Sequence, residues 1–209
     1  MALMSEKPLR VLCLHGYHGS STILDGQLRP LRDGLSTPMD FVTVDAPSIA
    51  AGDFGWWHGN IPGYRDEFLG WRRTRDWLSE LFDRKGPFDG VLGFSQGAAL
   101  AGLLPGLSAV EPRIRLRFAI MAGGFRSEAP EHRDLFARRE AYDIPSFHII
   151  GDTDTVVHPD DSRHLAEAFT SPMVVSHPGG HVIGATPHIK RALTDFLANI
   201  GPRREEELA

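Results

Sequence analysis

A serine lies between two glycines in Gly93-Phe94-Ser95-Gln96-Gly97, directly after an apolar run and directly before a stretch of small residues. Glycine-rich turns that contain a serine are common, but these flanks are typical of a nucleophile elbow, a sharp turn between a strand and a helix. The glycines are required there because Cβ atoms would collide across the turn. A helix that begins at Gln96 would also direct its free amides and positive dipole end toward an oxyanion on acylated Ser95. The motif therefore predicts that Ser95 is a nucleophile in acyl transfer.

A nucleophilic serine needs a histidine as base and an acid that holds this histidine in the right tautomer. Asp154 and His181 each follow an apolar run later in the chain. The order Ser, Asp, His, with each residue on a loop after a strand, is that of the α/β-hydrolase fold. Loops that follow parallel strands share one edge of the sheet, so the three residues can converge. We predict Asp154 and His181 as acid and base, with Asp152 and His177 as the alternatives.

The tetrahedral intermediate of acyl transfer carries an oxyanion, which backbone N–H groups stabilise. The amide that follows the nucleophile belongs to Gln96, and the loop His15-Gly16-Tyr17 after the first apolar run offers a second amide at Tyr17. Gln96 and Tyr17 are therefore the predicted oxyanion hole. His15 is expected to brace its loop by hydrogen bonding and not to act as a base.

Three aromatic residues, Trp56, Trp57 and Phe125, lie on predicted loops at the same edge of the sheet as Ser95. Aromatic side chains at such an edge often line an apolar binding pocket, although each tryptophan could instead pin its loop onto a helix. We predict that these residues bind substrate. The expected substrates are small to medium acyl esters or thioesters with an apolar acyl part, and charged acyl groups should be rejected.

The predicted elements alternate between strand and helix. Apolar runs indicate strands at 9–14, 41–44, 90–94, 117–121, 147–150 and 173–176, and helical spacing indicates helices over 22–34, 64–85, 96–104, 161–169 and 189–200. Pro105-Gly106 is expected to stop the third helix, and 48–63 is expected to be an irregular loop. This alternation predicts a mostly parallel, doubly wound sheet with helices on both faces, as in the α/β-hydrolase fold, with little or no lid.

Length and composition fit a single domain over 1–209, with a core at about 9–200 and a polar tail at 201–209. A formal net charge of −5 provides no general attraction for nucleic acid. The only cysteine, Cys13, excludes a disulfide framework, and no signal peptide or membrane-spanning run is recognisable, so the protein is expected in the cytoplasm. The predicted partner is a small-molecule acyl ester or thioester, and a homodimer is left open.

Several motifs together resemble the small serine α/β-hydrolases known as family serine hydrolases. The resemblance runs from about Leu9 to Ile200 and rests on Leu14-His15-Gly16-Tyr17, Trp56-Trp57, Gly86-Pro87-Phe88-Asp89-Gly90, Gly93-Phe94-Ser95-Gln96-Gly97, Ala122-Gly123-Gly124-Phe125, Gly151-Asp152-Thr153-Asp154 and Gly179-Gly180-His181. It implies the catalytic residues Ser95, Asp154 and His181, and ester or thioester hydrolysis without a cofactor. The chain departs from the family in its short length and at Met121-Ala122, so the acyl preference does not transfer.

Other functions compete with a serine esterase. Some fungal relatives release polyketides from a synthase, which keeps open a thioesterase that frees a product from a biosynthetic carrier. A ligand receptor with this fold could retain the triad and show little turnover. A metal hydrolase is disfavoured because the chain has no His-Glu-x-x-His spacing, so no metal is expected.

Overall fold

The computed structural model describes residues 7–50, 53–58 and 70–201. The strands are β1 (Leu9–Leu14), β2 (Met39–Val44), β3 (Ser48–Ala50), β4 (Asp53–Gly55), β5 (Gly90–Phe94), β6 (Phe118–Ala122), β7 (Ser146–Gly151) and β8 (Pro172–His177). The helices are α1 (Ser21–Arg32), α2 (Trp71–Lys85), α3 (Gln96–Ser108), α4 (Pro130–Phe136), α5 (Pro159–Ala166) and α6 (Pro187–Ile200), with a 3-10 helix at Arg139–Tyr142.

Six of these strands form one sheet in the order β2-β1-β5-β6-β7-β8, and each neighbouring pair is parallel. Strands β1, β5, β6 and β7 are almost entirely buried because helices cover both faces of the sheet. Helices α2, α3 and α5 contribute to the core on one face, and α1 and α6 to the core on the other. The predicted doubly wound parallel sheet is confirmed, and the loops after its strands meet at one edge.

The predicted end of the third helix is wrong. Helix α3 continues to Ser108 with Pro105 inside it, although a stop at Pro105 was expected. Nearly the whole helix is buried against the sheet, and this packing outweighs the backbone hydrogen bond that proline removes. Helix α2 begins at Trp71, because Gly70 has a positive φ of 92° that a helix does not accommodate. The predicted start of this helix at Tyr64 lies outside the described residues.

Short elements occupy the loop predicted at 48–63 and the segment between β6 and β7, for which no helix or strand was predicted. Strands β3 and β4 form an antiparallel pair within the loop predicted at 48–63, and α4 with the 3-10 helix lies between β6 and β7. Elements of three to seven residues are too short to show a clear hydrophobic period. Within the described ranges, no helix has the length and apolar character needed to span a bilayer.

Two buried histidines make the fold sensitive to acid. Burial lowers the pKa of His132 to about 4 and that of His148 to about 3, from an ordinary value of 6.5. At a pH between the folded and the ordinary pKa, the unfolded chain binds protons that the folded chain does not. The free energy of unfolding is therefore highest above about pH 6.5 and falls as the pH is lowered. Each histidine should cost about 2 kcal/mol of unfolding free energy at about pH 5. Urea unfolding should show this loss, and His148→Leu should lose about 2 kcal/mol less than the wild type at about pH 5. A wild-type stability that does not change with pH would contradict the prediction.

Candidate active site

Ser95 occupies the predicted elbow between β5 and α3. Its backbone has φ 56° and ψ −119°, a conformation that residues other than glycine rarely adopt. Its N–H donates to the carbonyl of Ala122 at 2.9 Å. A Cβ on Gly93 would overlap the carbonyl oxygen of Gly97, and a Cβ on Gly97 would overlap that of Leu14. Both glycines of the motif are therefore required by the close approach of backbone across the turn.

Asp154 and His181 form a hydrogen-bonded pair at the same edge of the sheet. His181 Nδ1 lies 2.7 Å from Asp154 Oδ2. The other carboxylate oxygen, Oδ1, accepts the backbone N–H groups of Val156 and Val157, each at 2.9 Å. The ring of His181 also lies 4.8 Å from that of Phe94, the residue before the serine. The structure thus brings the predicted acid and base together beside the elbow.

The carboxylate of Asp154 is suited to remain ionised. Burial alone would raise its pKa, but the hydrogen bond from His181 and those from Val157 and Val156 outweigh burial and hold the pKa below its ordinary value. An ionised Asp154 fixes the proton of His181 on Nδ1, which leaves Nε2 able to accept a proton.

Asp152 and His177, the alternative acid and base, hydrogen-bond to other groups. Asp152 is exposed and accepts a 3.4 Å hydrogen bond from the hydroxyl of Ser176. His177 is buried, and its Nδ1 accepts the backbone N–H of Gly179 at 3.1 Å. These contacts hold Asp152 and His177 to neighbouring groups near His181, whereas Asp154 hydrogen-bonds to the His181 ring itself.

The predicted oxyanion hole lies where α3 begins and β1 ends. Gln96 is the first residue of α3, so its N–H has no carbonyl of the preceding helical turn to bind. The loop after β1 brings Gly16 against the nucleophile, since a Cβ on Gly16 would lie 3.1 Å from that of Ser95. Tyr17 follows Gly16 directly. The Gln96 amide thus directly follows Ser95, and the Tyr17 amide directly follows Gly16, which contacts Ser95.

His15 braces this loop, as the sequence predicted. Its Nε2 accepts the backbone N–H of Ala46 at 3.0 Å, and its Nδ1 lies 2.7 Å from the carbonyl oxygen of Gly16. Because Nε2 accepts, the proton is on Nδ1 and donates to Gly16. Burial is the largest influence on this histidine and lowers its pKa, which keeps the ring neutral.

The side chain of Gln96 has a structural role that the sequence did not reveal. Its Oε1 accepts the N–H of Trp56 at 3.0 Å, and its Nε2 donates to the carbonyl of Trp57 at 2.8 Å. The hydroxyl of Thr74, a residue of α2, donates to the carbonyl of Trp56. The carboxamide thus ties the tryptophan loop to the start of α3, across a sequence separation that no local pattern encodes.

A cavity of about 570 Å³ opens at Ser95. Its lining comprises Tyr17, Trp57, Ser95, Gln96, Phe125, Arg126, Glu128, Val156, Val157, Asp161 and His164. Trp57 and Phe125 therefore lie where a substrate pocket was predicted.

Trp56 does not line this cavity, and the prediction for it is wrong. Its side chain is fully buried, its Nε1 donates to the carbonyl of His15 at 2.8 Å, and its ring lies 5.9 Å from that of Trp77 on α2. Trp56 therefore pins its loop to the body of the protein. Adjacent residues of an irregular loop point in different directions, and no periodicity in the sequence indicates which of the two tryptophans faces the pocket.

The cavity is also more polar than the sequence predicted. Arg126, Glu128, Asp161 and His164 line it together with the apolar residues. The guanidinium of Arg126 lies 4.7 Å from the centre of the Phe136 ring, which holds it in place. The expectation that charged acyl groups are rejected therefore loses its basis in a purely apolar pocket. Among the described residues, no cluster of histidine, cysteine and acidic side chains is arranged to bind a metal ion.

Comparison with known proteins gives consistent matches. The sequence model of the family described as Serine hydrolase (FSH1) matches residues 4–193. Esterase OVCA2 of Danio rerio is 33% identical over 224 residues, covering 93% of this chain and 98% of that protein. Esterase OVCA2 of Homo sapiens is 31% identical over 223 residues, with the same coverage. The crystal structure of Zea mays acyl-protein thioesterase 2 is similar with a TM-score of 0.70 at 19% identity, covering 96% of this chain and 97% of that one. The predicted α/β-hydrolase fold is confirmed.

Proposed function

The chain belongs to the Serine hydrolase (FSH1) family, and from this premise we propose that it hydrolyses carboxylic esters or thioesters through an acyl-Ser95 intermediate. The observation that carries the proposal is the 2.7 Å contact between His181 Nδ1 and Asp154 Oδ2 beside a strained serine elbow. A histidine oriented in this way activates a serine hydroxyl, which is a weak nucleophile by itself.

In the proposed mechanism, His181 Nε2 takes the proton of Ser95 Oγ while this oxygen attacks the acyl carbonyl. The N–H groups of Gln96 and Tyr17 stabilise the oxyanion of the tetrahedral intermediate. As the intermediate collapses, His181 gives the proton to the departing alcohol or thiol. Water then attacks the acyl-enzyme with the same histidine as base, and the carboxylic acid leaves. Every step uses groups of this chain, and the mechanism involves no cofactor.

The cavity supports an acyl group as its occupant. Its lining includes Ser95 and Gln96, which contact the reacting carbonyl in this mechanism, together with the apolar side chains of Trp57, Phe125 and Val157. Relatives of this chain are named esterases, and a protein of similar fold is named an acyl-protein thioesterase. Both leaving groups therefore fit the proposal.

The direct test is turnover of matched acyl esters and acyl thioesters of graded chain length by the purified chain. Continuous release of acid, many equivalents per protein molecule, is the expected result. Release of a single equivalent, or binding without release, would instead favour a hydrolase-fold receptor.

Trp57 should determine how activity depends on acyl chain length. Each methylene buried in the cavity contributes up to about 0.8 kcal/mol, so kcat/KM should rise up to about fourfold per carbon until the cavity is full. Trp57→Ala removes one apolar wall and should flatten this rise while leaving the acetyl ester nearly unaffected. The measurement is kcat/KM for a series of p-nitrophenyl esters.

Trp56→Ala is the matched control for this prediction. Because Trp56 is fully buried outside the cavity lining, its removal should lower stability by about 3–5 kcal/mol and keep the slope of the chain-length series. A wild-type slope in Trp57→Ala would show that the acyl group binds elsewhere.

A further inference from the structure

The Tyr17 side chain is held by a residue that has no place in the mechanism above. Its hydroxyl and Nδ1 of His58 share a hydrogen bond of 2.8 Å, and the two ring centres lie 5.4 Å apart at an interplanar angle of 66°. His58 is 2% exposed, whereas Tyr17 is 42% exposed. A ring at the mouth of the cavity is thus tied to a buried group.

Gly55 creates the space in which the Tyr17 ring lies. A Cβ at this position would be 2.7 Å from Cε2 and 2.8 Å from Cδ2 of Tyr17, and 3.0 Å from Cε1 of His58. Such distances are below van der Waals contact. Any larger residue at position 55 would therefore displace the Tyr17 ring or break its bond to His58.

The segment that carries His58 is itself fixed. The carboxamide of Gln96 binds the backbone on both sides of the Trp56–Trp57 peptide, and the indole of Trp56 binds the carbonyl of His15. Because Gln96 is the residue after the nucleophile, these hydrogen bonds connect the segment before His58 directly to the elbow. The hydrogen bond between His58 and Tyr17 then connects this segment to the loop after β1.

The peptide unit that carries the Tyr17 N–H is held at its carbonyl by His15, whose Nδ1 donates to the Gly16 oxygen at 2.7 Å. The carbonyl of Gly16 accepts the N–H of Gly19 at 3.0 Å, and His18 has a φ of 58°, so residues 16–19 form a turn with Tyr17 at its second position. These two hydrogen bonds hold the Gly16–Tyr17 peptide at its carbonyl. The hydrogen bond from the Tyr17 side chain to His58 holds the residue on the N–H side of the same peptide.

We propose that His58 is a positioning residue for the oxyanion hole. By holding the Tyr17 ring against Gly55, it keeps the Tyr17 N–H directed toward the oxyanion that forms on Ser95. This inference rests on the proposed function, since it assigns His58 a role in the same hydrolysis. Oxyanion donors act on the transition state more than on bound substrate, so a loosened donor lowers kcat and changes KM little.

Three variants test the proposal. His58→Leu removes the hydrogen bond, Gly55→Ala displaces the Tyr17 ring and removes no polar group, and His58→Asn keeps an amide near the place of Nδ1. His58→Leu and Gly55→Ala should lower kcat about 10- to 100-fold with KM within about threefold, and His58→Asn should stay within about threefold of the wild type. The matched control is His148→Leu, which replaces an equally buried histidine in β7 and should leave kcat within about twofold.

A second measurement separates positioning from general damage. A trifluoromethyl ketone forms a hemiketal oxyanion on the serine, and its Ki should rise in His58→Leu in proportion to the fall in kcat/KM, while the Ki of the product acid stays constant. A wild-type kcat in both His58→Leu and Gly55→Ala, or equal losses in His58→Leu and His58→Asn, would overturn the proposal. If Ser95→Ala is inactive in the same assay, either of these outcomes overturns the role of His58 and leaves the proposed function intact. Full activity of Ser95→Ala would overturn both this inference and the proposed function.

Discussion

Replacement of Ser95 by alanine should lower kcat by about 10⁴- to 10⁶-fold, because no acyl-enzyme can form without the hydroxyl. The same variant should lose covalent labelling by a fluorophosphonate, which reacts with activated serines. Intact-mass analysis of the wild type should show a single adduct, and peptide mapping should place it on Ser95. The expected loss is larger than the one expected for Asp154→Asn.

Ser79→Ala is the matched control for this substitution. Ser79 is a buried serine of α2, and its removal should change neither kcat nor labelling. An adduct of equal yield on Ser95→Ala would show that the probe reacts with another residue. Undiminished turnover by Ser95→Ala would exclude the acyl-serine mechanism.

The parts of the site that the sequence predicted are those encoded by local patterns. The elbow follows from two glycines at fixed spacing around Ser95, and the positions of Asp154 and His181 follow from apolar runs that end in loops. Parallel strands place the loops after them at one edge, so three separate local predictions become one site. The fold class was predictable for the same reason.

The parts that the sequence did not predict depend on contacts between distant residues. The carboxamide of Gln96 binds Trp56 and Trp57 across about 40 residues, and Tyr17 binds His58 across 41. Neither pair belongs to a spacing pattern within a helix or a strand. The helix through Pro105 was not predictable for a related reason. Proline usually ends a helix, but burial of α3 against the sheet outweighs this local effect.

Asp154→Asn should lower kcat by about 10³- to 10⁴-fold while the protein remains folded. The asparagine Oδ1 can still accept the N–H groups of Val156 and Val157, as the carboxylate does. Its NH₂ group then faces Nδ1 of His181, which must accept this hydrogen bond. The ring proton is thereby moved to Nε2, where His181 can no longer take the proton of Ser95.

The pH profile adds a second measurement of the same pair. The hydrogen bond from His181 and those from two backbone amides keep the pKa of Asp154 below its ordinary value, so the carboxylate stays ionised at neutral pH. Protonation of Asp154 should therefore cause no loss of wild-type kcat/KM above the ordinary pKa of an aspartic acid. A loss of activity traced to protonation of this carboxylate above that value would contradict the hydrogen bonding described for Asp154.

Asp152→Asn distinguishes the two candidate acids. Asp152 is exposed and is bound by the Ser176 hydroxyl at 3.4 Å, so its replacement should change kcat by less than about tenfold. The two substitutions remove the same charge from positions two residues apart in one loop, and they differ in contact with the His181 ring. A larger loss in Asp152→Asn than in Asp154→Asn would assign the acid to Asp152 and would require the loop after β7 to rearrange during catalysis. The expected order follows from the 2.7 Å contact between Asp154 and His181.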